Sequence, residues 1–170
     1  MTTPIDVPDA TRTPQEYRDA LLALAGDRDP VDILAATPDA VAALCAEAAP
    51  GRVPAPGEWS AADVVGHLVD AEVAVCFRIR LALTADRPTY PGYDEKSWAA
   101  LPKPPLDDLV ATFRQLRAYN VCLLRRLSAD DRQRVAVHGE QGPETVDVNI
   151  RKFAGHDILH LDQLARTVRS

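Results

Sequence analysis

Cysteine is scarce in this sequence. Cys45, Cys76 and Cys122 are far apart, odd in number and outside any C-x-x-C pair, which excludes a disulfide framework and reads as small core residues in a reducing compartment. Basic charge is also in deficit: 19 Lys and Arg stand against 25 Asp and Glu, a net charge of −6. Without a basic field to hold a phosphate backbone, nucleic acid is not an expected partner. Every apolar segment is interrupted by charge, and Met1–Asp6 has neither a basic n-region nor an apolar h-region. The expectation is therefore a cytoplasmic protein with no membrane partner. There is no internal repeat, no Gly-rich phosphate loop and no G-x-S-x-G elbow.

What remains is helical. At 170 residues and 46% hydrophobic, the chain has the size of one domain with a proper core. Residues 1–12, with Pro4 and Pro8, read as a flexible N-terminal arm, and 13–170 as a single domain. Thr13-Pro14 opens a helix that stops at Gly26; Asp29-Pro30 opens a short one through Leu34, and Thr37-Pro38 another carrying Val41, Leu44 and Cys45. The prolines of 50–57 make a connection. Ser60 to Asp63 has the spacing of a capping box and opens a long helix to about Leu83. Residues 86–105, with Tyr90, Tyr93 and Trp98, form a long crossover of the kind that is more often functional than decorative. A further helix spans about 106–127, with Leu109, Phe113, Leu116, Leu123 and Leu124 inward. Residues 128–147 look irregular or briefly extended, and a last helix covers about 148–168. This pattern predicts an all-α fold, a four-helix bundle with a long crossover connection.

The chemistry concentrates in histidine. His156 and His160 stand at i and i+4 on the last helix, on one face, where two imidazoles can converge on one ion. His67 is the only histidine on another long helix. If the two helices are neighbours running roughly parallel, the three rings meet at similar depth. Three imidazoles leave a coordination position open, the pattern of catalytic zinc sites, and the ligand types also suit Ni(II) or Fe(II). The zincin H-E-x-x-H is not present, because Asp157 stands where that motif has its general-base Glu. Asp157 is read as a carboxylate that accepts the free N–H of a ligating histidine or as the partner of an arginine.

Pro56-Gly57-Glu58-Trp59-Ser60, His67-Leu68 and Asp70-Ala71-Glu72 on one helix, Arg78-Ile79-Arg80, Pro91-Gly92-Tyr93-Asp94, Trp98, and Gly155-His156-Asp157-Ile158-Leu159-His160-Leu161 together resemble the DinB/YfiT-like superfamily. The resemblance runs over nearly the whole chain from about residue 30. It implies a DinB-like four-helix bundle, often a homodimer, with a divalent metal ion, commonly zinc or nickel, held by His67, His156 and His160. It also implies a small-molecule substrate and either of two activities. One is a transferase reaction of a low-molecular-weight thiol cosubstrate, activated as a metal-bound thiolate, with a small electrophile. The other is metal-dependent hydrolysis by metal-bound water. A non-catalytic bundle that binds a small molecule or a metal is the third expectation.

Around that trio, Tyr93 and Trp98 are pocket candidates because they lie on the crossover. His138, before Gly139, reads first as a surface loop histidine and second as a residue of the pocket mouth. Trp59 reads as a packing residue, a staple before the Ser60 cap. Glu72, five residues beyond His67, reads as a charge partner for Arg78 or Arg80.

Overall fold

A computed structural model describes residues 4–48 and 57–169; most of the expected 50–57 connection lies outside them. The elements are α1 Pro14–Ala25, α2 Pro30–Ala46, α3 Ala61–Thr84, β1 Thr89–Tyr90, α4 Glu95–Ala99, α5 Leu106–Leu124, α6 Ala129–Gln133, β2 Val135–His138, β3 Gly142–Thr145 and α7 Val146–Arg169. Side-chain caps fix the starts of several helices. Asp29 accepts from the Val31 and Asp32 amides to begin α2. At α3 the expected box is complete: Ser60 accepts from the Asp63 amide while Asp63 accepts from that of Ser60.

Helices α2, α3, α5 and α7 form a four-helix bundle, with α3 touching α5 and α7, and α2 touching the same two from the opposite corner. One apolar cluster joins the start of α2 (Val31, Leu34) and of α7 (Val146, Ile150) to the second half of α3 (Cys76, Ile79) and of α5 (Val121, Leu124). The other joins Val41, Val64, Val65, Leu68, Leu109, Phe113, Leu164 and Val168. The start of α3 therefore faces the end of α7. The two helices are neighbours as expected, but antiparallel rather than parallel. Because α2 and α7 run one way and α3 and α5 the other, the α3–α5 connection must traverse the bundle's length, which is why the 86–105 crossover is long.

Pro38 does not divide α2. Two separate helices were expected, since proline removes one intrahelical donor and crowds the carbonyl four residues back. Here that carbonyl, Leu34 O, accepts from Arg117 Nη1 at 2.8 Å. A tertiary partner offsets the lost bond and the helix continues. Arg117 itself is 1% exposed, on a stripe of α5 that sequence periodicity assigned to Leu116 and Leu123. Those leucines are half-buried, and the inward positions are Leu109, Phe113, Arg117, Asn120, Val121 and Leu124.

Helix α1 lies against α7 at Gly155, where an added Cβ would stand 1.9 Å from the Leu21 carbonyl oxygen. Only glycine permits this approach. At the end of the bundle where α7 begins, β1 pairs in parallel with β2, Thr89 opposite Val137, and β2 pairs antiparallel with β3, Val135 opposite Thr145. Residues 128–147 are thus a short helix and a hairpin. The described part of the arm reaches α7, with the Ile5 amide donating to Asp162 Oδ2 at 3.1 Å. Cys76 is buried, Cys45 half-buried and Cys122 exposed; all three thiols are free, so the expectation of three core cysteines holds fully for only one. Among the described residues, no helix is long and apolar enough to cross a membrane.

Candidate metal centre

Between the two apolar clusters, α3 and α7 bring His67, His156 and His160 together. Their ring centroids are 5.0 Å (His67–His156), 4.5 Å (His67–His160) and 4.3 Å (His156–His160) apart. One ligand nitrogen from each lies within 4.8 Å of the others, and the Nε2 atoms of His67 and His156 are 2.9 Å apart. The spacing of i and i+4 on α7 supplies two rings, and the antiparallel register of α3 supplies the third. Trp59 covers the group, its ring 5.4 Å from that of His67, so the expected packing role is directed at the site.

All three imidazoles are buried. Burial pushes His67 down to about 3, with His160 as the second cause. Burial, then His160 and His67, hold His156 well below the usual imidazole range. Burial also lowers His160, against the opposing effect of its hydrogen bond to Gln163 Oε1. Neutral imidazole is the form that binds a metal, so at neutral pH each residue keeps a lone pair available.

His160 Nδ1 lies 2.7 Å from Gln163 Oε1. A carbonyl oxygen only accepts, so this contact assigns the proton to Nδ1 and leaves Nε2 as the lone-pair nitrogen. His156 Nδ1 is buried without any partner. A donor set of three neutral imidazoles with an orphaned ring nitrogen fits a divalent ion. Gln163→Leu is expected to lower metal affinity roughly 10–100-fold, as loss of an outer partner typically does. Competition against a chromogenic chelator measures this; unchanged affinity would refute the orienting role.

Asp157 takes the second of its two expected roles. Its Oδ1 accepts from Arg117 Nη2 at 3.0 Å and its Oδ2 from Nη1; no hydrogen bond joins it to the histidine trio. Glu72 also pairs with Arg117, through Nε, rather than with Arg78 or Arg80, and accepts from Asn120 Nδ2 at 2.6 Å. The reason is helical phase: Glu72 is on the buried face of α3, and the arginine it meets comes from α5. The guanidinium is sandwiched between Phe113 and Phe153, 4.8 and 4.9 Å from their centroids.

A cleft of about 430 Å³, counted with its open mouth, has His156 in its lining. Tyr17 of α1, Tyr93 and Glu95 of the crossover, and Lys152 of α7 line it. Tyr93 is thus in the pocket. Trp98 is outside the lining and stacks on Tyr93 at 4.6 Å. His138 is buried in β2 rather than on a surface loop, because its Nδ1 accepts from the Glu140 and Gln141 amides at the hairpin turn. It lies outside the cleft lining. Five site residues have no counterpart in the sequence expectations: Tyr17, Glu95, Lys152, Gln163 and Arg117. Gln163 is legible as i+3 from His160, and Arg117 as a charge inside an apolar stripe. Tyr17 and Glu95 carry no local signal.

Residues 18–164 match the sequence model of the DinB superfamily. The chain belongs to the DinB superfamily. A protein of Oceanobacillus iheyensis, provisionally named a metal-dependent hydrolase, is 34% identical over 107 residues, 62% of each chain. A Bacillus cereus protein of the same provisional name is 35% identical over 106 residues, 61% of each chain. The DinB-superfamily chain described here thus matches these curated relatives over about six-tenths of their length. Among solved structures, YfiT from Bacillus subtilis superposes with a TM-score of 0.75 at 20% identity, over 99% of this chain and 92% of its own. YfiT is described as having an unusual four-helix bundle topology. That likeness agrees with the fold built above.

Proposed function

We propose that His67, His156 and His160 hold a divalent metal ion, zinc or nickel, beside the cleft that His156 lines, and that the protein is a thiol-dependent S-transferase acting on a small electrophile. The observation that supports this reading is a three-histidine site on whose own two helices the fully buried carboxylates, Asp157 and Glu72, are tied to Arg117. Neither of these two is free to act as a general base, which favours a nucleophile that the metal itself activates. A divalent ion at the site supplies Lewis acidity that lowers the pKa of a thiol or a water molecule.

The chain's own residues do the rest. The histidines stay neutral and aimed at one point; Trp59, Phe153 and the flanking apolar clusters exclude bulk water; and the cleft admits the electrophile from the side of α1 and the crossover. The provisional names of the relatives favour a second reading, metal-dependent hydrolysis, with the same three ligands. The homodimer implied by family resemblance is also a proposal; Val73, Phe77 and Tyr119, 54%, 61% and 69% exposed on the adjacent α3 and α5, offer an apolar surface for it.

The deciding experiment measures turnover of 1-chloro-2,4-dinitrobenzene with a panel of small thiols, beside hydrolysis of a panel of activated esters and amides, for zinc- and nickel-loaded protein. Thiol-dependent, chelator-sensitive turnover is the expected result. Chelator-sensitive hydrolysis without any thiol requirement would establish the second reading and overturn the first.

A further inference from the structure

We propose that the cleft over His156 takes a substrate carrying a cationic nitrogen, and that Glu95 is the group that recognises it. The proposal deepens the functional reading above, since the same cleft is taken to lead the substrate to the histidines.

The charged groups lining the cleft are Glu95 and Lys152, and they differ in what they have left to offer. Lys152 Nζ donates to Gln141 Oε1 at 2.6 Å and to Glu144 Oε1 and Oε2 at 2.9 and 2.7 Å. An ammonium has three donors, so its capacity is met within the protein and its charge is neutralised by Glu144. Asn149 Nδ2 is likewise engaged, by Tyr90 Oη and Glu144 Oε2. That wall of the cleft cannot hold an anion without breaking an internal network.

Glu95 is the reverse case. It stands at the start of α4, half-buried, and among the described residues no hydrogen bond or ion pair reaches its carboxylate. Arg78 is the nearby cation, but its guanidinium donates to the Pro91 carbonyl at 3.0 Å and lies over the Tyr90 and Tyr93 rings, 4.9 and 5.6 Å from their centroids. Burial pushes the Tyr17 and Tyr93 phenols up, and the nearby Glu95 charge is the second cause at both. A half-buried carboxylate flanked by two tyrosines is short of a cationic donor. A protonated amine satisfies it by a charge-assisted hydrogen bond. The apolar lining from Leu21, Val75 and Phe153 suits a hydrocarbon body attached to that nitrogen.

The test uses three probes of one shape and different charge, benzylamine, benzyl alcohol and benzoate, titrated calorimetrically into the full chain as purified and again after chelation. Wild-type protein is expected to bind benzylamine about tenfold more tightly than benzyl alcohol, and benzoate more weakly than either, with or without metal. Glu95→Gln should abolish the preference for benzylamine over benzyl alcohol, and Glu95→Lys should turn the preference toward benzoate. Equal affinities in the wild type, no saturable benzylamine binding, or a preference that survives Glu95→Gln each overturns the proposal. Because the chelated arm requires no metal, such a failure leaves the metal reading standing, and a failure of the metal reading leaves this result intact.

Discussion

His67→Ala protein is expected to emerge from tag-free purification with metal content near zero, against about one ion per chain in the wild type. Two imidazoles on α7 remain in this variant, but a two-nitrogen site gives up a whole ligand. The loss should exceed the roughly 10–100-fold that removal of an outer partner costs. Any metal-dependent turnover should fall with it. His67 is 2% exposed and packs on Trp59, so the variant also needs a fold control. An unchanged far-UV circular dichroism spectrum, together with His160→Ala giving the same metal loss from the other helix, separates ligand removal from unfolding. Full metal occupancy in His67→Ala would defeat the three-ligand proposal.

Arg117→Met is the second large effect. Arg117 holds the four bundle helices at one level: it stands on α5 and donates to Leu34 O on α2, to Glu72 on α3 and to Asp157 on α7. Truncation leaves two carboxylates with 0% exposure and no counter-charge, and also strands the carbonyl freed by Pro38. Breaking a buried ion pair from one side typically costs about 3–5 kcal/mol, a large share of the roughly 5–15 kcal/mol that holds a domain folded. Urea denaturation should show the midpoint falling accordingly. The triple variant Arg117→Met, Glu72→Gln, Asp157→Asn should recover part of the loss, because it removes the uncompensated charges. A single-variant cost below about 1 kcal/mol, the range of an exposed ion pair, would refute this account. The network also bears on the site, since Asp157 follows His156 directly on α7: the guanidinium that locks Asp157 helps to set the rotation of the helix presenting two of the three histidines.

Several features were legible without coordinates because they are local. The Ser60–Asp63 box needs only a four-residue spacing to predict α3, and the His156–His160 pair needs only the helical period to share a face. Asp157 in place of a zincin glutamate is likewise a one-position observation. Pro38 shows where local reasoning ends. The sequence predicts a break, and the break is absent because a donor 79 positions further on, Arg117, accommodates the freed carbonyl. His138 shows the same limit, since what buries it is a strand pairing that its own sequence neighbours do not announce.

Helical periodicity, capping and breaker residues act over a few positions, so the helical bundle and its long crossover could be read from the residues alone; the family and its histidine trio came from the resemblance of its motifs. Packing in three dimensions set α3 antiparallel to α7, gave Asp157 and Glu72 to Arg117, and brought Tyr17 of α1 and Glu95 of the crossover into one cleft with His156. The physical reason is that helix direction, charge pairing and cleft lining depend on which surfaces pack together. That choice is made by the sum of contacts across the chain, such as the glycine-permitted approach of Leu21 to Gly155, and no single stretch of sequence contains it.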